Sequence, residues 1–262
     1  MSRGTALSGA RVLITGGTRG IGRLVAAGAV ERGAEVTVWA RNPELGAQVA
    51  EELGVTFIAV DVSDAAAVAE AARETGPIDV LVNNAGVIAG KPFVQLTEEE
   101  IRRTYEINAL APYWTTRAFL PGMIERNRGL VVSLASAAGL IGTTRMTDYS
   151  GTKHALVGFT EALRAELRAQ RSAVRTLVVC PFYISTGMFD GVQTRVPWLL
   201  PILKPEDVAT KTLDAIERGA AKLVLPWSVN LMPVMRVLPV PLFDAVIDLL
   251  GVNHTMDRFK GH

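Results

Sequence analysis

Arg11-Val12-Leu13-Ile14-Thr15-Gly16-Gly17-Thr18-Arg19-Gly20-Ile21-Gly22 begins as a short apolar run and ends in a turn crowded with glycine. Val12 to Ile14 reads as a buried strand. Residues 23–32 follow as a helical stretch closed by Gly33, and residues 35–40 form a second apolar strand. Strand, glycine turn, helix and strand in that order are the setting in which such a turn binds a dinucleotide. Glycine reaches backbone conformations closed to other residues and lets the chain approach a pyrophosphate. The helix start adds unpaired N–H groups and positive potential. Without these flanks, an ordinary βα turn would explain the glycines equally well.

Outward from this stretch the pattern repeats. Apolar runs fall at 12–15, 36–40, 56–60, 80–83, 129–134, 175–180 and 222–225, with helical stretches between most of them. Seven such strands predict an α/β fold: a doubly wound, seven-stranded parallel sheet of Rossmann type, with helices on both faces. Ligands of such sheets bind beyond the carboxyl ends of the strands. The residues there are Gly16, Ala40 with Arg41, Asp61 with Val62, Asn83-Asn84-Ala85-Gly86, Ser136 and Pro181. Most are small, polar or turn-forming, as an open cleft requires. Asp61 has two readings, an acceptor for an adenine amine or a turn carboxylate.

The chain has 262 residues, 49% of them hydrophobic, enough for one sizeable core, and no linker or repeat divides it. A single domain over residues 1–262 is expected. A net charge of +1 gives no case for nucleic acid. The single cysteine, Cys180, ends a Val/Leu-rich strand and reads as a small buried hydrophobe in a reduced, cytoplasmic compartment. His154, His254 and His262 are scattered, and no Cys/His cluster has metal-ligand spacing. His154 is expected to point away from its neighbour Lys153. Residues 1–11 carry no apolar core of a signal peptide.

Tyr149 and Lys153 stand four apart, with Ser136 thirteen residues before the tyrosine. On a helix, residues four apart share a face. An ammonium beside a phenol favours the phenolate, and a serine hydroxyl in reach can hold a substrate oxygen while the tyrosine moves a proton. Alone, the pair is common on solvated helices.

In company with the other motifs, the chain resembles a short-chain dehydrogenase/reductase built on one Rossmann domain. Thr15 to Gly22 is similar to that family's cofactor turn, and the resemblance implies contacts from Gly16, Thr18, Arg19, Gly20, Ile21 and Gly22. It adds Asn84, Ala85 and Gly86 of the Asn-Asn-Ala-Gly segment, while Asp61 and Val62 are cofactor candidates from their place at the end of the third strand. Asn108 resembles the family's helix asparagine, and Ser136, Tyr149 and Lys153 complete its tetrad. The roles implied are Tyr149 as general acid/base, Lys153 lowering its pKa and bonding the nicotinamide ribose, and Ser136 orienting the substrate oxygen. Asn108 is to hold a water that links Lys153 to solvent. Pro181, Ile184 and Thr186 match the segment around the nicotinamide carboxamide, although Phe182 stands where glycine is usual. A homodimer or homotetramer is implied.

The second strand ends in Ala40-Arg41 with no carboxylate, and Arg19 lies inside the glycine turn. Two guanidiniums and no acid suit a 2′-phosphate, so NADP(H) is expected over NAD(H). The resemblance places a substrate lid at residues 186–204, within an apolar stretch that includes Phe189, Val192, Val196 and Trp198. Residues 228–262 form an apolar C-terminal extension, broken by prolines at 233, 239 and 241 and therefore no transmembrane helix. Within it, residues 241–250 read as an amphipathic helix whose apolar face is Leu242, Phe243, Val246, Ile247, Leu249 and Leu250. Three readings of the extension stand: packing on the core, walling a lipophilic cleft, or peripheral contact with a membrane. It is loosely similar to the retinol/steroid branch of the family. The expected reaction interconverts a hydrophobic secondary alcohol and ketone, or an aldehyde. The alternatives are a fatty-acyl or polyketide ketoreductase, with Arg102, Arg103, Arg126 and Arg128 as a basic entrance, and a non-catalytic nicotinamide-binding redox sensor.

Overall fold

In the computed structural model, which describes residues 4–261, seven parallel strands lie in the order β3-β2-β1-β4-β5-β6-β7. They are β1 (Arg11–Thr15), β2 (Glu35–Ala40), β3 (Thr56–Ala59), β4 (Val80–Asn83), β5 (Leu130–Leu134), β6 (Arg175–Pro181) and β7 (Lys222–Leu225). The chain crosses from β3 past β1 to β4, which opens a crevice at the carboxyl ends of β1 and β4. Met1 to Arg3 and His262 lie outside the described residues, and with them part of the N-terminal expectation.

Helices cover both faces. They are α1 (Gly20–Glu31), α2 (Pro43–Leu53), α3 (Ala65–Thr75), α4 (Glu98–Tyr105), α5 (Ala111–Glu125), α6 (Thr147–Ala169) and α7 (Pro205–Arg218). The strands are buried on both sides, so their sequences are continuous apolar runs rather than alternating ones. Val12, Ile14, Val36, Val38, Val80 and Val82 face Val25, Ala29 and Leu213 of α1 and α7. Their neighbours Leu13, Trp39, Leu81 and Val131 face Val68, Phe119, Met123 and Leu163 of α3, α5 and α6. That is the two-residue period of a pleated strand.

A further apolar cluster lies beyond the sheet. It joins Tyr149, Leu156, Phe182 and Tyr183 to Val192 and Leu200 of segment 186–204, and to Val229, Met232, Ile247, Val252 and Met256 of the extension. The first reading of the extension is therefore what the structure shows: it packs on its own chain's core. It contains α8 (Met232–Met235) and α9 (Val240–Leu249). The expected apolar face of α9 needs correction. Ile247 is buried and Phe243 and Leu250 pack beside it, but Leu242 and Leu249 are 52% and 68% exposed. Four of the six expected positions recur at three- and four-residue spacing, and the other two lie off that stripe. Among the described residues, no helix is long and apolar enough to cross a membrane.

Candidate functional site

Thr15 leaves β1 and its hydroxyl accepts from the backbone N–H groups of Asn84 and Ala85, both at 3.1 Å. The Asn84 amide donates back to the carbonyls of Thr15 at 2.9 Å and Gly16 at 3.1 Å. The glycine turn and the end of β4 are thus bolted together. Gly16 sits at φ +67°, and a Cβ there would lie 3.0 Å from the Ala85 Cα. A Cβ on Gly22 would collide with the Asn84 amide and the Gly16 carbonyl. The glycines are needed for these close approaches. Helix α1 starts immediately, with no side-chain cap and no acidic residue in its first turn. Its unpaired N–H groups are left for an anion.

These elements form the floor of a cleft of about 780 Å³. Every residue expected to hold the cofactor lines it: Gly16, Thr18, Arg19, Gly20, Ile21, Gly22, Arg41, Asp61, Val62, Asn84, Ala85, Gly86, Tyr149, Lys153, Pro181, Ile184 and Thr186. Ser136 lines it too, and Asn108 does not. Volume, glycine cradle and bare helix end fit a dinucleotide. Arg103 of α4, named from sequence only as part of a possible basic entrance, also lines the cleft near Arg41 and Asp61. Its place is tertiary; no local pattern marks it.

Asp61 makes the bonds of a turn carboxylate while still lining the cleft. Its Oδ1 accepts from the Ser63 hydroxyl at 2.6 Å and the Ser63 N–H at 3.0 Å, while Arg41 reaches to 3.9 Å from Oδ2. Partial burial pulls its pKa up. The Ser63 bonds, with Arg41 and Arg103, outweigh that and hold it below the usual carboxylate value.

At the other end of the cleft, Ser136 leaves β5 in extended conformation and caps a short turn, accepting from the Ala138 N–H at 3.1 Å. Gly139 in that turn lies against the backbone of Lys153, where a Cβ would strike the main chain. This close packing of turn on α6 sets Ser136 beside Tyr149 on the cleft wall, its hydroxyl donating to the Pro181 carbonyl at 3.4 Å. Lys153 stands one helical turn on, its Nζ 5.5 Å from the Tyr149 ring centre, and donates to the Leu134 carbonyl at 2.8 Å. Burial dominates both groups. It pushes the Tyr149 phenol up, partly offset by Ser136, and pushes Lys153 down to about 8. Lys153 is not among the groups that move the Tyr149 phenol here, its ammonium being turned to the Leu134 carbonyl.

Asn108 lies in a π-helical turn, Glu106–Leu110, between α4 and α5. Pro112 has no N–H, so the α-helical bond to the Asn108 carbonyl cannot form. The Asn108 side chain is spent on structure. It donates to the Val87 carbonyl at 2.8 Å and to Thr152 Oγ1 at 3.3 Å, and accepts from the Val87 N–H at 2.8 Å.

Phe182 is buried at the cleft wall and stacks edge-on against Tyr183, ring centres 4.7 Å apart. Its φ is not positive, so the turn does not require the missing glycine. Cys180 is free and buried, its thiol pushed up to about 11, as a packing residue should be. His154 bonds the Ser150 carbonyl at 2.8 Å and faces Arg236 of the extension at 3.2 Å. Among the described residues no cluster could hold a metal ion. The extension does not line the cleft, which corrects its second reading; Met188, Phe189 and Asp190 stand in front of it.

The family model described as short chain dehydrogenase matches residues 10–196. Epidermal retinol dehydrogenase 2 of Mus musculus is 35% identical over 267 residues, covering 97% of this chain and 86% of the relative. Short-chain dehydrogenase/reductase 3 of Homo sapiens is 36% identical over 266 residues, covering 97% and 88%. A crystal structure of a short chain dehydrogenase/reductase from Burkholderia phymatum in complex with NAD superposes with a TM-score of 0.81, at 25% identity, covering 91% of this chain and 96% of that one.

Proposed function

The chain belongs to the short-chain dehydrogenase/reductase family and is an oxidoreductase, and from that premise we propose that it interconverts an apolar alcohol and its ketone or aldehyde with NADP(H). The observation that carries the reading is that Ser136, Tyr149 and Lys153 line one end of a cleft together, Lys153 one turn from Tyr149, with the bare start of α1 at the other end. In reduction, Ser136 donates a hydrogen bond to the carbonyl oxygen and Tyr149 gives that oxygen its proton. The raised phenol pKa keeps this proton in place at neutral pH. A bound nicotinamide supplies the hydride that the carbonyl carbon receives. Gly16, Gly20 and Gly22 hold the pyrophosphate against α1, and Lys153 bonds the adjoining ribose. Asn108 braces Val87 and α6 beneath Lys153, so a water relay there falls to its main-chain carbonyl rather than its amide.

Arg19, Arg41 and Arg103 gather at the adenosine end and support a 2′-phosphate. The apolar cluster of Phe182, Phe189 and Val192 supports a hydrophobic substrate, as does the retinol dehydrogenase among the relatives. Cys180, single and reduced, suits a cytoplasmic setting. Exposed Tyr105, Leu110 and Tyr113 suit a homodimer or homotetramer.

We also propose peripheral contact with a membrane surface through the extension. The Ser228 hydroxyl donates to the Leu199 carbonyl at 2.6 Å and so joins the two segments that carry Trp198 and Trp227, 81% and 71% exposed. Leu231, Val234, Val237 and Val240 are exposed nearby, and Arg236 is the only charge between Trp227 and Phe243. Tryptophans, aliphatics and a cation suit the headgroup boundary.

The test is NADPH consumption with a panel of long-chain aldehydes and ketones, small polar sugars and acyl thioesters. Turnover of the apolar carbonyls, lost by about 10²- to 10⁴-fold in Tyr149→Phe with NADPH binding unchanged, is expected. Turnover confined to sugars, or to thioesters, sinks the substrate reading. Full activity in Tyr149→Phe sinks the proton donor.

A further inference from the structure

The last residues of the chain run back over the segment expected to be a lid. The Lys260 N–H donates to the Asp190 carbonyl at 2.7 Å, and the Gln193 N–H donates to the Thr255 carbonyl at 3.2 Å. The Thr255 hydroxyl bonds the Tyr183 hydroxyl at 2.8 Å, and Thr144 donates to the Asn253 carbonyl. Met256 is fully buried. One strap thus touches the lid, the end of β6 and the loop before α6.

It also reaches the opposite wall. The Phe259 ring lies on Gly90 in the loop after β4, so closely that a Cβ on Gly90 would enter the ring. Gly191 of the lid, at φ +85°, lies against the Arg258 carbonyl, where any side chain would collide with main chain. The seam is therefore built to shape on both sides, with glycines where the strap passes.

Phe189 is the lid residue that this seam places over the proton donor. Its ring meets Tyr149 edge-on at 6.0 Å between centres and Tyr183 at 5.2 Å. It lines the cleft between the strap and Tyr149. A ring at that distance stands directly against the tyrosine ring.

We propose that the strap, residues 251–261, holds Phe189 over Tyr149, and that Phe189 so held decides how broad a carbonyl compound can be and still reach the tyrosine. This rests on the proposed role of Tyr149. The favoured substrates are apolar chains slender at the reacting carbon, such as straight-chain aldehydes; ketones branched beside the carbonyl are excluded.

The experiment compares wild type with Phe189→Ala, Gly191→Ala and Phe259→Ala. It reads kcat/KM with NADPH for a straight-chain aldehyde and a branched ketone of equal carbon number, the Kd for NADPH, and amide hydrogen exchange. In Phe189→Ala the branched-to-straight ratio of kcat/KM should rise by roughly tenfold or more, the scale on which apolar pockets discriminate size. The Kd for NADPH should hold. In Gly191→Ala and Phe259→Ala the ratio should move the same way, and exchange should quicken at residues 188–193 while the sheet stays protected. An unchanged ratio in Phe189→Ala overturns the gate. Unchanged lid exchange in both strap variants overturns the strap. A wild type inactive on both substrates overturns the reading of Tyr149, and with it the gate, while exchange still decides the strap.

Discussion

The two ends of the cleft are built by opposite means. The nucleotide end is made by leaving side chains out: Gly16 and Gly22 let main chain and the Asn84 amide close on each other. The substrate end is made by filling space, with Phe182 and Phe189 at its wall and Tyr183 and Phe259 packed behind them. The first arrangement fixes a ligand common to many enzymes through backbone groups. The second fixes a shape, and shape is what distinguishes substrates.

If the ends are independent, damage to one should spare the other. Gly22→Ala is the harshest trial. Its methyl meets both the Asn84 amide and the Gly16 carbonyl, so NADPH affinity should fall by about 100-fold or more, the scale of a 1 Å misplacement. Calorimetric titration reads it. Normal affinity would mean that the turn yields and is not the rigid floor described.

Arg41→Asp is next. It should weaken NADPH by roughly tenfold or more, as for a lost charge-assisted bond, and leave NADH nearly untouched. Equal losses for the two cofactors break the 2′-phosphate assignment. The preference among carbonyl substrates should not move in either variant.

Lys153 stands at the junction of the two ends and gives a pH test. Its folded pKa of about 8 lies below the ordinary 10.5, so its charged form opposes folding. The opposition is complete below pH 8 and fades as pH rises toward 10.5. Lys153→Met should therefore lose turnover yet gain stability at pH 7, by up to about 3 kcal/mol, with the gap closing above pH 10. Urea melts across pH measure it. A destabilised variant at pH 7 would show that the bond to Leu134 outweighs the burial.

The smallest effect is expected at the outer surface of the substrate end. Trp198→Ser with Trp227→Ser should lower sedimentation with phosphatidylserine vesicles several-fold and leave turnover of a soluble aldehyde unchanged. Equal sedimentation removes the membrane proposal.

The same contrast explains what the sequence disclosed. All seven strands and the parallel class of their sheet were legible, because strands buried on both faces are unbroken apolar runs between turns. The nucleotide end was legible because its contacts lie within a few residues of one another, between Thr15 and Gly22 and from Asn83 to Gly86. Arg103 was not, since only the fold brings α4 beside Arg41. The substrate end was opaque for that reason too: Tyr183 and Thr255, bonded here, lie 72 residues apart. Leu242 and Leu249 were misplaced because composition cannot tell an apolar face that is covered from one that is not. The Tyr149–Lys153 spacing was plain, but the electrostatic balance between them depends on burial, which spacing does not report.

Asn108 carries one more consequence. Its amide donates to and accepts from the same residue, Val87, as a neighbouring strand would. Mechanically, the stretch after β4 is then less a loop than a prolongation of the sheet, one paired unit longer than its main chain alone provides. The third bond, to Thr152, couples that unit to the turn of α6 that bears Lys153. The ammonium is anchored to a support with the stiffness of a sheet, and any thermal sway of the roof above it is movement against a fixed datum.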